Sequence, residues 1–166
     1  MAKINSRKRH IIRKSDISRL FRGGLEEEIG TDTDLFRSTT VELIDITGDI
    51  SLYLIEKKPL LMEYQDQVFP TLRGAIAHPF SARNIVVDAG AVRFMAKGAD
   101  VMRPGIVRVS DDVLADHPVL ITEETYGKPL AVGIAAFDAA EINAAETGKM
   151  VRTFHYVGDE LWNLDI

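Results

Sequence analysis

Glycine and proline divide the second half of the chain into short apolar runs, and this division limits the folds that it can adopt. Four runs are typical of turn-bounded strands: RNIVVDAG, PVLITEETY, PLAVGIAAF and KMVRTFHYV. AVRFMAKG and DAAEINAAETGK are typical of short helices, with a glycine placed to end each one and Asp138 and Glu141 at capping-box spacing. A parallel sheet needs long crossover connections, and neither helix is long enough to make one. The pattern therefore predicts a small antiparallel barrel.

The first half shows one helical pattern followed by strand patterns. SDISRLFRGGLEEEIG has apolar residues near helical spacing, with Ser15 or Asp16 placed to cap its amino end and Gly23–Gly24 as a weak point. TTVELIDITGDISLYLIEKKPLLMEY contains three β-rich runs, of which the first two flank a turn at residues 47–49. This segment predicts a three-stranded antiparallel meander.

A short helix and a proline-containing joint separate the two halves. FPTLRGAIAHPF predicts a helix that begins at Pro70 and stops before Pro79, because proline suits the first helical turn and disfavours helix in the residue before it. Arg73 on this helix either lines the joint or forms a structural ion pair. We therefore expect two domains, residues 1–80 and 81–166.

Charge is segregated along the chain, although the net charge is only −5. Residues 1–22 are basic apart from the single acid Asp16, whereas residues 26–66 are strongly acidic. Because exposed charges attract over roughly 8–10 Å at physiological salt, local clusters matter more than the total. The basic start therefore either binds a polyanion or is a solvated terminus.

Composition and motifs narrow the function classes. The chain has no cysteine and no secretory signal, which fits a cytoplasmic location, and it has no apolar run of the roughly 20 residues that a membrane helix needs. No phosphate-binding loop, nucleophile elbow or helical zinc pair is found, so we expect no cofactor, no metal and no enzymatic activity. In SDDVLADHP, the side chains of Asp111, Asp112, Asp116 and His117 suit either a tuned general base or, in the favoured interpretation, a polar turn-forming loop.

Four short motifs in the second half occur in an order that is typical of one family. They are Asp88-x-Gly90-Ala91, Gly98-Ala99 with Met102-x-Pro104-Gly105, the strand Ala131-Val132-Gly133, and Gly148. On these motifs the segment from Ser81 onwards resembles a PUA domain, named for pseudouridine synthases and archaeosine transglycosylases. FPTLRGAIAHPF and HYVGDELWNL resemble the malignant-T-cell-amplified-sequence family in its archaeal type, which pairs a pre-PUA domain with a PUA domain.

This resemblance implies a fold and a function. The fold is α+β: an N-terminal pre-PUA α/β domain with an antiparallel sheet, followed by a C-terminal PUA pseudobarrel. The function is non-catalytic binding of structured RNA, either tRNA or rRNA, in translation initiation or recycling. Eukaryotic members act at the small ribosomal subunit beside a protein with an SUI1-type domain, so both are implied partners. Two alternatives stay open: a protein-interaction module whose barrel no longer binds RNA, and an accessory RNA-modification factor.

The resemblance also places an RNA-binding surface on the first helix of the PUA domain, the loop and strand that follow it, and the last strand. Gly98 can turn the chain with φ > 0, cations suit phosphates, and Tyr156 suits stacking on an exposed base. The alternative is that Arg93 and Lys97 form a solvated helix face and that Met102 is a core residue. The implied RNA-binding residues are Arg93, Lys97, Gly98, Ala99, Asp100, Met102, Arg103, Lys149, Arg152 and Tyr156.

Overall fold

The computed structural model describes residues 9–46 and 49–165. The chain forms two compact units, Met1–Phe80 with Asn163–Ile166, and Ser81–Trp162. The first unit contains an antiparallel sheet with helical segments, and the second a nearly closed, barrel-like sheet with short helices. The predicted α+β fold class is confirmed. Residues 1–8 of the basic start, and the first two residues of the predicted turn at 47–49, lie outside the described residues.

The sheet of the first unit has five strands that pair in chain order, each pair antiparallel. Its strands are β1 (Arg9–Ile11), β2 (Val41–Asp45), β3 (Ile50–Ile55), β4 (Lys58–Tyr64) and β5 (Gln67–Pro70). The predicted meander corresponds to β2–β4, and β1 and β5 extend it at its two edges. The turns at residues 56–57 and 65–66 have positive φ at both residues, which is the conformation of tight hairpins whose twist matches that of the strands.

A helical segment, interrupted at Gly30 with φ of +63°, lies between β1 and β2. It consists of α1 (Lys14–Ser18), a π-helical stretch (Arg19–Leu25), α2 (Glu26–Ile29) and a 3₁₀ stretch (Gly30–Phe36). The predicted helix is present, and Leu20, Phe21 and Leu25 of its apolar face are buried. The predicted side-chain cap is wrong. The helix begins at Lys14 without one, and the Asp16 carboxylate pairs with the guanidinium groups of Arg13 and Arg19.

Helix α3 (Leu72–Ala77) begins later than the sequence predicts. Pro70 is the last residue of β5, and Thr71 is the N-cap, whose Oγ1 accepts a hydrogen bond from the backbone N–H of Gly74 at 3.1 Å. The N-cap threonine, rather than the proline, therefore sets the start of the helix. Arg73 lies on the exposed face of α3, and its role at the joint stays a prediction.

The sheet of the second unit has six strands in the order β7-β11-β10-β9-β6-β8. They are β6 (Asn84–Val87), β7 (Val101–Met102), β8 (Ile106–Val109), β9 (Pro118–Glu123), β10 (Pro129–Ala135) and β11 (Lys149–Tyr156). A single 3₁₀ turn, Arg103–Gly105, joins the edge strands β7 and β8, so the sheet curls into a nearly closed barrel. Antiparallel pairing was predicted throughout, but β6 and β9 run parallel, because the short helix, β7 and β8 between them provide the crossover.

Two short helices, α4 (Val92–Met95) and α5 (Ala139–Ala144), belong to the barrel unit. The predicted capping box of α5 does not form, because the Asp138 carboxylate accepts a hydrogen bond from the backbone N–H of Ala115 at 2.8 Å. Gly148 does not end α5, which stops at Ala144; its φ of +102° belongs to the turn before β11. The buried core of the unit contains, from helices and strands, Ile85, Val87, Met95, Val101, Val119, Ile121, Ala131, Ile142 and Val151.

A buried carboxylate holds the turn that follows β11. The Oδ2 atom of Asp159 lies 2.9 Å from Nδ1 of His155 and accepts a hydrogen bond from the backbone N–H of Tyr156, while Oδ1 accepts from that of Trp162 at 2.7 Å. Burial alone would raise the pKa of Asp159, but the His155 ring and the backbone donors outweigh burial and hold the pKa below its usual value. Asp159 therefore stays charged and fixes the end of the last strand.

Candidate nucleic-acid interface

The structure brings the segment after α4 and the start of β11 together. Met102 pairs with Lys149 and Val101 with Val151 in the β7–β11 ladder, and the backbone N–H of Arg103 donates to the carbonyl of Gly148 at 2.8 Å. Residues that are about 50 positions apart in sequence thus form one continuous surface. All ten predicted RNA-binding residues lie on α4, on the turn that follows it, on β7 and the adjoining 3₁₀ turn, or on β11.

Gly98 and Tyr156 fit against each other in this surface. Gly98 has φ of +80°, as the sequence predicts, and a Cβ at this position would lie 2.5 Å from Cε1 of Tyr156. Only glycine allows both the left-handed backbone and this close approach. Tyr156 is half-buried and packs on the barrel core, so its ring supports the turn around Gly98 from beneath.

Asp100 anchors the same turn to the last strand. Its Oδ1 accepts a hydrogen bond from the backbone N–H of Thr153 at 2.9 Å, and its Oδ2 lies 2.9 Å from Nζ of Lys149. Thr153 also donates from Oγ1 to the carbonyl of Ala99 at 2.9 Å. Desolvation alone would raise the pKa of Asp100, but Lys149 and the Thr153 N–H outweigh it and lower the pKa. Asp100 thus holds the loop in place and offsets the charge of Lys149.

Arg103 is half-buried and binds backbone carbonyls. Its Nε donates to the carbonyl of Ile142 in α5 at 2.7 Å, and its Nη1 donates to the carbonyl of Ile106 at 3.2 Å. These bonds fix the turn between β7 and β8 against α5. A carbonyl does not neutralise a guanidinium, so Arg103 still contributes positive potential to the surface.

The other predicted cations point outward. Arg93, Lys97, Lys149 and Arg152 are exposed, and we call these four residues the cationic surface. Of the ten predicted residues, Gly98, Ala99, Asp100, Arg103 and Tyr156 build the scaffold of this surface, as their contacts above show. Met102 is 49% exposed, so its side chain is not part of the core.

An apolar pocket of about 500 Å³ opens beside the cationic surface. Phe94 and Met102, each 49% exposed, are among the residues that line it, and the guanidinium carbon of Arg93 lies 4.9 Å from the centroid of the Phe94 ring. This volume is within the range of ordinary small-ligand sites. Phe94 was not among the predicted site residues. The available signal was its position next to Arg93 on a short helix. The pocket, which we call the apolar pocket, is lined by Val87, Asp88, Gly90, Ala91, Phe94, Met95, Ala99, Asp100, Val101, Met102, Pro104 and Gly105.

The first unit carries a pocket of similar size, about 570 Å³, whose lining includes several charged side chains. Three acids line it. Asp16 pairs with Arg13 and Arg19, and the other two are Glu63 and Asp66. Burial and the charge of Asp66 raise the pKa of Glu63, while a hydrogen bond with Tyr53 partly offsets them. Burial and the neighbouring carboxylates raise the pKa of Tyr53 to about 12, so the phenol stays neutral. We call this site the acidic pocket.

The Asp111–His117 segment forms a polar loop. Asp112 Oδ1 accepts hydrogen bonds from the backbone N–H of Arg83 at 2.9 Å and from Oγ of Ser110 at 2.6 Å, and none of the four predicted side chains lines the apolar or the acidic pocket.

Residues 9–46 and 49–165 contain no group of three or more histidine or acidic side chains placed to hold a metal ion. No helix in that part of the chain has the length and apolar character needed to cross a membrane.

Comparison with known proteins adds to this geometry. The PUA domain family matches residues 83–157, and a family described as a domain of unknown function (DUF1947) matches residues 8–76. The uncharacterized protein MJ1432 of Methanocaldococcus jannaschii is 35% identical over 95% of this chain and 96% of its own length. Translation machinery-associated protein 20 of Eremothecium gossypii is 30% identical over 86% of this chain and 81% of its own length. The crystal structure of the hypothetical protein PH0734.1 from Pyrococcus horikoshii OT3 has a TM-score of 0.86 and 27% identity, covering 94% of this chain and 98% of that one.

Proposed function

Because this chain belongs to the PUA-domain family that contains translation machinery-associated protein 20 and the malignant T-cell-amplified sequence proteins, we propose that it is a non-catalytic RNA-binding protein of translation. Its RNA is structured, either tRNA or the RNA of the small ribosomal subunit, and it acts in the cytoplasm during initiation or recycling. A protein with an SUI1-type domain is its proposed partner there.

The observation that carries the proposal is the apolar pocket beside the cationic surface. Phosphates are attracted by exposed lysine and arginine, and unpaired bases bind apolar and aromatic side chains through their faces. Lys97 and Arg152 supply charge, and Phe94 and Met102 supply an apolar wall. Side chains cannot read the deep groove of an RNA duplex, so this combination suits a folded RNA that offers an unpaired nucleotide beside a stem.

A titration of bulk tRNA and of purified small-subunit RNA with the full chain tests RNA binding. The logarithm of the affinity should fall linearly with the logarithm of the salt concentration, because phosphate contacts release counterions. Lys97→Ala should weaken binding several-fold and flatten the dependence by roughly one unit. Lys58→Ala, an exposed lysine of the first unit, is the matched control and should leave both unchanged. Absence of binding to either RNA at low salt would contradict the proposal.

Capture of partners from lysate separates this function from a protein-interaction module. Partners that disappear after nuclease treatment depend on RNA, as proposed. Retention of the same partners, together with no affinity for RNA, would favour the module. Incubation with bulk tRNA followed by nucleoside analysis addresses catalysis, and a new modified nucleoside would contradict a non-catalytic role.

A further inference from the structure

The hairpin loop Glu124–Lys128, between β9 and β10, presents one aromatic ring to solvent. Tyr126 at its tip is 80% exposed, more than any other exposed large apolar side chain in the described part of the chain. All five residues of the loop are exposed. A single exposed aromatic ring is common on protein surfaces, so the informative feature here is how the loop holds and presents it.

The loop is held by the carboxylate of Glu123, the last residue of β9. Glu123 Oε2 accepts a hydrogen bond from the backbone N–H of Thr125 at 2.7 Å, and Oε1 accepts from those of Tyr126 at 2.6 Å and Lys128 at 3.0 Å. Two backbone hydrogen bonds also cross the loop. The N–H of Glu123 donates to the carbonyl of Lys128, and the carbonyl of Glu123 accepts from the N–H of Gly127. With its backbone donors satisfied within the protein, the loop is held in one conformation, and such preorganisation lowers the entropy cost of binding.

The same loop is tied to the wall of the apolar pocket. The backbone N–H of Glu124 donates to the carbonyl of Val87 at 3.0 Å, and Glu124 Oε1 accepts from the backbone N–H of Ala89 at 3.2 Å. Val87 and the neighbouring Asp88 line the apolar pocket. Tyr126 is therefore two residues from Glu124, whose hydrogen bonds reach the segment that forms one side of that pocket.

We propose that Tyr126 and Lys128 form a second RNA contact, in which the tyrosine ring stacks on an unpaired base and the lysine ammonium meets the adjoining phosphate. This inference rests on the RNA-binding function proposed above and extends its surface along the barrel. Nζ of Lys128 lies 5.8 Å from the Tyr126 ring centroid, so one nucleotide can reach both groups.

The surroundings of Tyr126 favour RNA over a protein partner. Protein-docking anchors lie inside a rim of other apolar side chains that exclude water. The other exposed residues of the loop are Glu124, Thr125, Gly127 and Lys128, and none of them is a large apolar side chain that could form such a rim. Stacking on a base needs only an open ring face with a cation close by, and this loop provides both.

The test compares two RNA probes and four variants of the full chain. One probe is a synthetic stem-loop with a single-stranded extension, and the other is the same stem with a blunt end. Tyr126→Ala should weaken binding of the extended probe roughly five- to hundred-fold, while Tyr126→Phe, which keeps the ring, should bind like the wild type. Phe137→Ala, which removes another exposed aromatic ring, is the matched control and should also bind like the wild type.

Salt dependence and crosslinking give the readouts that a general loss of folding would not. Stacking is uncharged, so Tyr126→Ala should leave the salt dependence unchanged, and Lys128→Ala should reduce it by roughly one unit. Ultraviolet crosslinking of a 5-bromouridine-substituted extension should yield a peptide that contains Tyr126. If the wild type binds the extended probe and Tyr126→Ala binds it equally well, the inference is overturned and the proposed function stands. If the wild type binds neither probe, both the inference and the proposed function are contradicted.

Discussion

The acidic pocket of the first unit and the apolar pocket of the second have similar volumes, about 570 and 500 Å³, but they differ in the charged side chains around them. In the acidic pocket, Asp16 lies between Arg13 and Arg19 at 3.5 and 3.4 Å, and Glu63 and Asp66 add further negative charge. Beside the apolar pocket, Arg93 and Lys97 are exposed and the acids are already used: Asp88 caps a turn and Asp100 pairs with Lys149. Cations attract a polyanion more strongly where nearby carboxylates do not compensate them.

Replacement of Gly98 should lower the free energy of unfolding most, because Gly98 holds the turn whose next residues, Ala99 and Asp100, line the apolar pocket. In Gly98→Ala the new Cβ meets Tyr156 at 2.5 Å and the residue keeps a positive φ. Left-handed strain and overpacking together should lower the free energy of unfolding by about 3 kcal/mol, and RNA affinity should fall with the displaced loop.

Gly158→Ala is the matched control for Gly98→Ala, since Gly158 has φ of +94° with open space around it. It should lose only about 1 kcal/mol by urea denaturation. If both variants lose the same free energy of unfolding, the contact with Tyr156 does not contribute to the effect of Gly98→Ala.

Asp159→Asn should have the next largest effect. It removes a charged acceptor of three hydrogen bonds at the end of β11 and should cost about 2 kcal/mol near neutral pH. The folded pKa of Asp159 is lowered, so its contribution is complete above the unfolded pKa of about 3.9 and is lost as the pH falls through the folded value. Urea denaturation of wild type and variant between neutral and acidic pH should show a difference that shrinks at low pH. A difference that is independent of pH would contradict this account.

Glu63→Gln in the acidic pocket should change the free energy of unfolding least, and it should raise this free energy rather than lower it. The folded pKa of Glu63 is raised, so the charged form destabilises the fold at neutral pH, and stability is regained as the pH falls through the folded pKa. Because Glu63 is only half-buried, Glu63→Gln should gain less than about 1 kcal/mol at neutral pH, and the gain should vanish in acid. Thermal unfolding measured at several pH values checks this, and destabilisation at neutral pH would contradict it.

The fold was largely predictable because its strands are short apolar runs between turn residues. What could not be predicted depends on distant partners. The turns at 56–57 and 65–66 contain no glycine or asparagine, so the hairpin that adds β5 gave no turn signal. The parallel pairing of β6 with β9 depends on how the whole barrel closes, and no local pattern encodes it.

The candidate site shows the same division between local and long-range information. Gly98 was predictable, since its position after a short helix requires a left-handed residue. The structural partners of Asp100 and Arg103 were not, because Thr153 and Ile142 lie 53 and 39 residues away. Tyr126 was predicted to lie in the strand run PVLITEETY, but β9 ends at Glu123, whose carboxylate accepts backbone hydrogen bonds from the loop that presents Tyr126.

The cations beside the apolar pocket should bind RNA, and those of the acidic pocket should not. The salt dependence of tRNA affinity, measured by fluorescence anisotropy for two double variants, distinguishes the two sets of cations. Arg93→Ala with Lys97→Ala should weaken binding and reduce the slope of log affinity against log salt by roughly 1.5 to 2, because two phosphate contacts are lost. Arg13→Ala with Arg19→Ala should leave affinity and slope unchanged. Equal loss in both variants, or loss only in the second, would contradict the claim.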